Sequence, residues 1–217
     1  MQKSRNESVK VRKIVKLSLL SALIVIMTFT FLGYLRVGLI EISFLAIPVA
    51  IGAILMGPGA GLILGTVFGL TSFLQCFGFS ELGVALLAIN PLFTLLVCLV
   101  PRMLMGYLTG LLFKGLSKAQ RLKNASYPIT CLFAALMNTV FFIGLLFLLF
   151  GNSDVMLGIK ASLGATSTLA FMVAFAGINA LVEAAACTVI GGAVSKILAA
   201  VEEKNGLGDQ SKSTDAI

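Results

Sequence analysis

The chain has no histidine and no tryptophan. Without histidine a Ser–His–Asp triad is impossible, and the imidazole ligands of most catalytic zinc sites are missing. Cysteine is scarce: Cys76, Cys98, Cys131 and Cys187 are scattered and form no Cys-x-x-Cys pair. Metal-ligand spacing is therefore absent. Most of these thiols fall inside apolar runs, where they read as small hydrophobes rather than disulfide partners. There is no Gly-x-x-x-x-Gly-Lys-Ser/Thr phosphate loop, and "GGAVSK" from Gly191 has the wrong spacing. No catalytic residue, metal site or cofactor is expected. If a solute moves uphill, another subunit or an ion gradient must supply the energy.

Charge is also scarce, at 12% of 217 residues, while 59% are hydrophobic. Mean hydropathy is +1.06. A soluble domain of this size does not carry so much apolar surface. Apolar runs recur along nearly the whole chain, which predicts an all-α membrane protein built as a compact bundle of six transmembrane helices. The expected spans are 14–33, 45–56, 62–77, 86–113, 128–150 and 168–198. A basic terminus (1–13) precedes the bundle (14–200), and a polar tail (201–217) follows it. The first apolar run lacks a small-residue cleavage site after it, so it reads as a retained helix rather than a signal peptide.

The net charge of +7 follows membrane topology rather than a nucleic-acid partner. Lys3, Arg5, Lys10, Arg12, Lys13 and Lys16 precede or open the first span. Lys114, Lys118, Arg121 and Lys123 lie between the fourth and fifth, and Lys196, Lys204 and Lys212 close the chain. With six spans these groups share one side, which the positive-inside rule makes the cytoplasm. Only Arg36 and Lys160 fall on the opposite side. The chain is thus expected to be multi-pass in a bacterial cell membrane, with both termini cytoplasmic. The outer connections, 34–43, 76–83 and 151–162, are partly apolar and could be lids or simple caps.

Small residues recur at helical spacing: Gly61, Gly65 and Gly69, then Gly106 and Gly110, then Ala176, Ala180 and Ala184. Such stripes let membrane helices pack closely. Ser18 and Ala22 form a small pair in the first span, suited to packing inside the bundle or to docking another membrane protein.

Few strongly polar side chains fall within the spans: Gln75, Asn90, Arg102, Asn138, Asn179 and Glu183. A carboxylate in hydrocarbon costs several kcal/mol unless a partner answers it. At about 1.5 Å rise per residue, Arg102 would lie roughly 24 Å down a span starting at Leu86. Glu183 would lie roughly 22 Å down a span starting at Thr168. Matching depth makes Arg102 the expected partner of Glu183, either as a structural clamp or as a pocket floor. Asn138 and Asn179 would lie above the pair, with Asn90 and Gln75 nearer the mouth. Together these six form the candidate substrate track.

Two stretches carry a resemblance: "VGLIEISFLAIPVAIGAILMGPGAG" (37–61) and "FGLTSFLQCFGFSELGVALLAINPLFTLLVCLVPR" (68–102). They resemble the substrate-binding S components of energy-coupling factor vitamin transporters, and within that family they are most similar to the pantothenate-specific group. The resemblance implies six helices and capture of a vitamin outside the cell. It implies partners as well: a transmembrane coupling subunit and two ATPase subunits. The family's Ala-x-x-x-Ala docking motif corresponds to Ser18 and Ala22, with serine at the first position. Pantothenate's carboxylate, amide and hydroxyls suit an Arg and several Asn and Gln side chains. Riboflavin or folate in the same role remains an alternative. So do a stand-alone ion-coupled secondary carrier and a membrane scaffold with no solute.

Overall fold

The computed structural model describes residues 2–30, 33–37, 40–118, 124–162, 177 and 180–204. Helix α1 (Gln2–Thr28) is followed by a two-stranded antiparallel hairpin, β1 (Tyr34–Val37) and β2 (Ile40–Ser43). Tyr34 pairs with Ser43 and Val37 with Ile40. The mixed apolar pattern noted for 34–43 therefore folds as a hairpin. Then come α2 (Ala46–Met56), α3 (Pro58–Gln75), α4 (Glu81–Ile89), α5 (Pro91–Leu116), α6 (Ser126–Phe150), α7 (Asp154–Ser162) and α8 (Ala180–Lys204). Four of these, α3, α5, α6 and α8, are long and apolar enough to cross a membrane. Exposed Leu148 and Leu181 are typical of their outward faces, which are apolar as a lipid solvent requires.

The second expected span, 45–56, is α2, too short to cross alone. It is apolar on every side and is buried from Ala46 to Ile54, the position in the bundle that such a helix must take. Pro48 sits in its first turn, where a missing N–H breaks no helical bond. Gly57 ends it at φ 91°, a left-handed conformation that glycine tolerates. Pro58 then opens α3 directly.

The glycine stripe of α3 lies against α5. A Cβ on Gly61 would collide with the Gly106 carbonyl, and one on Gly65 with the Arg102 carbonyl. At Gly69 it would sit 2.8 Å from the Cα of Leu99, and at Gly110 2.6 Å from the Cα of Pro58. The two backbones are thus in direct contact along an antiparallel seam, the packing expected from small residues at this spacing. Helix α6 runs antiparallel to α5, with Phe93 beside Phe150 at one end and Phe113 beside Tyr127 at the other. Helix α8 runs antiparallel to α6, with Gly192 packed on Pro128. A π-helical turn, Cys187–Gly191, interrupts α8.

Two apolar clusters result. The larger joins α1, α2, α3, α5, α6 and α8 around Leu45, Val49, Leu64, Phe68, Met105 and Cys187. The smaller packs α4 and α7 on α5 and α6 through Leu86, Val97, Leu146, Phe150 and Met156. Lys16, midway along α1, bonds Glu202 near the C-terminal end of α8, so these two points share one face. The C-terminal end of α5, which carries Lys114, and the N-terminal end of α6 belong to the same face. We refer to it as the basic end. Lys160 lies on α7 at the other.

The structure corrects one boundary. The fourth span does not begin at Leu86: α4 stops at Ile89, and α5 starts at Pro91. Asn90 caps α5, accepting from the Leu92 and Phe93 amides at 3.0 and 3.2 Å. The expected start of the sixth span at 168 lies outside the described residues, as does the tail beyond Lys204.

The seam predicts that Gly65→Leu lowers thermal stability by about 1–3 kcal/mol or more, because backbone cannot yield to a new side chain. Gly59→Ala is exposed with nothing within 4 Å, and should change stability by less than about 0.5 kcal/mol. Thermal denaturation in detergent reads both values. Equal losses would show that the seam is not in contact.

Candidate functional site

Helix α5 carries a proline at its centre. Pro101 has no N–H to give to the Val97 carbonyl four residues back, so that acceptor is released from the helical ladder. Hydrocarbon offers no replacement donor. The replacement is Arg102, whose Nη1 donates to the Val97 oxygen at 2.7 Å. The guanidinium carbon lies 4.4 Å from the Phe142 ring centre on α6 and 5.4 Å from that of Phe68 on α3. A cation against aromatic faces is stabilised by their quadrupoles, the more so when desolvated. Arg102 is buried, and its Nε has no hydrogen-bond partner among the described residues.

One turn further toward the basic end, Asn138 of α6 donates through Nδ2 to Oε1 of Glu183 on α8 at 2.9 Å. Both residues are buried. The Asn138 Oδ1 is buried without a partner among the described residues. Asn138, then, is the group that answers the Glu183 carboxyl. Arg102 is close enough to act on Glu183 electrostatically, but among the described residues the only ion pair is Lys16–Glu202. The expected direct Arg102–Glu183 contact is not made. Its depth argument counted from Leu86; counted from Pro91, Arg102 lies only about 16 Å down its helix. It therefore sits above the Asn138–Glu183 pair rather than at its level, and the order expected from the sequence is reversed.

The track does not continue to its expected mouth. Gln75 is buried, but its Nε2 donates to the Thr28 carbonyl at 2.6 Å and ties α3 to α1. Thr28 and Thr71 add a hydroxyl contact of 3.1 Å to the same junction. Asn90 spends its side-chain oxygen on the α5 cap. Neither side chain bonds into the Arg102–Asn138–Glu183 cluster. Asn179 lies outside the described residues. Sequence reasoning missed Phe68 and Phe142, which face the arginine, and the Pro101–Val97 pair that anchors it. The proline was a legible signal, since the carbonyl it frees is always four residues back.

Ser18 and Ala22 are exposed on α1, among the outward-facing Val15, Leu19 and Ile26. The pair does not pack inside this bundle. The cysteines form no disulfide, although Cys76 Sγ lies 3.8 Å from Cys98 Sγ.

Four long apolar helices around a buried polar cluster mark a multi-pass membrane protein. Residues 12–192 match the family model of the ECF transporter substrate-specific component. The match covers most of the chain, which belongs to that family. No curated protein matches the chain. The family is a component of transporters and not an enzyme family.

The Asn138–Glu183 bond predicts a coupled pair. Asn138→Leu and Glu183→Leu should each cost about 1–3 kcal/mol, since each leaves a buried polar partner unanswered. The double change should cost less than the sum. A double-mutant cycle on melting temperature measures this, and additive losses would show that the two side chains do not meet.

Proposed function

We propose that this chain captures pantothenate from outside a bacterial cell and delivers it with a transmembrane coupling subunit and two ATPase subunits. The observation that carries this reading is the buried Arg102–Asn138–Glu183 cluster inside a chain of the substrate-specific family. Pantothenate carries a carboxylate, an amide and hydroxyls. Arg102 suits the carboxylate, and Asn138 and Glu183 suit amide and hydroxyl groups. Asn179, four residues before Glu183 in the sequence, is a further candidate. The similarity of 37–61 and 68–102 to the pantothenate-specific group favours this vitamin over riboflavin or folate.

In this reading six segments complete the bundle, with α1 and the short α2 joining the four long apolar helices. Both termini are cytoplasmic, in keeping with the gathering of basic residues at one end. The coupling subunit docks on the exposed Ser18–Ala22 face of α1. Small side chains there allow close approach, which a bulky one would prevent.

Native mass spectrometry of the gently purified protein tests the substrate: the retained mass should be that of pantothenate. The mass of a flavin or folate would reassign the vitamin. Uptake into liposomes driven by an ion gradient, with no ATPase present, would replace the reading by a stand-alone carrier.

Docking predicts a separation of functions. Ser18→Leu or Ala22→Leu should abolish uptake by cells carrying all subunits, while the purified variant binds vitamin as the parent does. Normal uptake by both variants would place the docking surface elsewhere.

A further inference from the structure

We propose that Pro101 is a positioning residue, which sets Arg102 to receive the carboxylate of the ligand and so confers a preference for acids. This rests on the reading of Arg102 as a ligand-binding group. A helical arginine beside no proline finds every nearby carbonyl already bonded to the ladder. Here Pro101 leaves the Val97 oxygen without its amide, and Nη1 of Arg102 takes it at 2.7 Å. That bond fixes which edge of the guanidinium remains. Nη1 is the nitrogen on the Cδ side, so the edge formed by Nε and Nη2 is the one left for a second acceptor. Nε is buried without a partner among the described residues. The flat group lies over the rings of Phe68 and Phe142, whose bulk leaves it less room to turn. A planar fork of two parallel N–H donors matches a carboxylate in two hydrogen bonds, and a primary alcohol in only one.

The segment carrying this arrangement is closely packed. The Arg102 carbonyl touches Gly65 across the α3–α5 seam, and Val97, Pro101 and Arg102 are all buried. Pro101 can therefore act on ligand choice without touching ligand: it supplies a carbonyl that an ordinary helix withholds.

The test uses calorimetric titration of the full chain in detergent. The probes are pantothenate and the analogue in which a primary alcohol replaces its carboxylate. The variants are Pro101→Ala and Arg102→Gln. The parent should favour the acid. Pro101→Ala returns the Val97 oxygen to a backbone amide and releases Nη1. It should weaken acid binding by about tenfold or more and leave alcohol binding within about twofold. Its melting temperature should not fall, because removing an interior proline restores a helical bond. A merely structural proline would lower stability or weaken both ligands together, and that result would overturn the proposal. Arg102→Gln should erase the preference for the acid. If it does so while Pro101→Ala retains the preference, Pro101 does not position the arginine and the binding role of Arg102 stands. If Arg102→Gln leaves the preference unchanged, the binding role itself fails and the proposal falls with it. Should Arg102→Gln not fold, the acid-to-alcohol ratio of Pro101→Ala decides alone.

Discussion

Inside a membrane a polar atom finds its partner in the protein or has none. Nearly every polar feature of this chain follows from that constraint. Thr28, Thr66, Thr109 and Thr188 return their hydroxyls to carbonyls of their own helices. Gln75 crosses to the end of α1, and Asn90 caps α5. Pro101 opens a carbonyl, and Arg102 closes it. Glu183 is answered by Asn138. Among the described residues, Arg102 Nε and Asn138 Oδ1 in these two arrangements remain buried without partners, as does Thr130 Oγ1 elsewhere. An incomplete pairing is costly in hydrocarbon, and the first two belong to the cluster proposed to take the ligand.

Packing and site are one construction. The glycine seam brings α3 against α5 so closely that Gly65 meets the Arg102 carbonyl. The segment bearing the arginine thus has a backbone neighbour and little freedom. Phe68, from the same face of α3, reaches the guanidinium, and Phe142 meets it from α6. Phe142 in turn packs on the apolar cluster built by α4 and α7, so these short helices roof the arginine side of the interior. The π-helical turn in α8 falls one turn beyond Glu183, where Gly191 and Gly192 let α8 lie close to Cys131 and Pro128.

Much of this was legible in the sequence. Hydropathy marked the long helices, Gly57–Pro58 marked the tight turn, and the glycine stripe marked the seam. That Glu183 needed an answer was also clear. Its partner was misassigned because hydropathy runs unbroken through Asn90 and Pro91. Asn followed by Pro is a helix-start signature, and starting the ruler there would have placed Arg102 higher in the bundle. The engagement of Gln75 was not legible, since its acceptor is a backbone carbonyl on α1, remote in sequence.

The central claim is that ligand binds at the Arg102–Asn138–Glu183 cluster and not along the whole polar track. It is tested most directly by titrating pantothenate into Asn138→Ala, Gln75→Ala and Asn90→Ala by calorimetry. Loss of a buried polar partner should weaken binding to Asn138→Ala by about 1–3 kcal/mol. The Gln75 and Asn90 variants should bind as the parent does at temperatures where they stay folded, because their side chains hold helices together. Unchanged affinity in Asn138→Ala, or an equal loss in all three, would contradict this account.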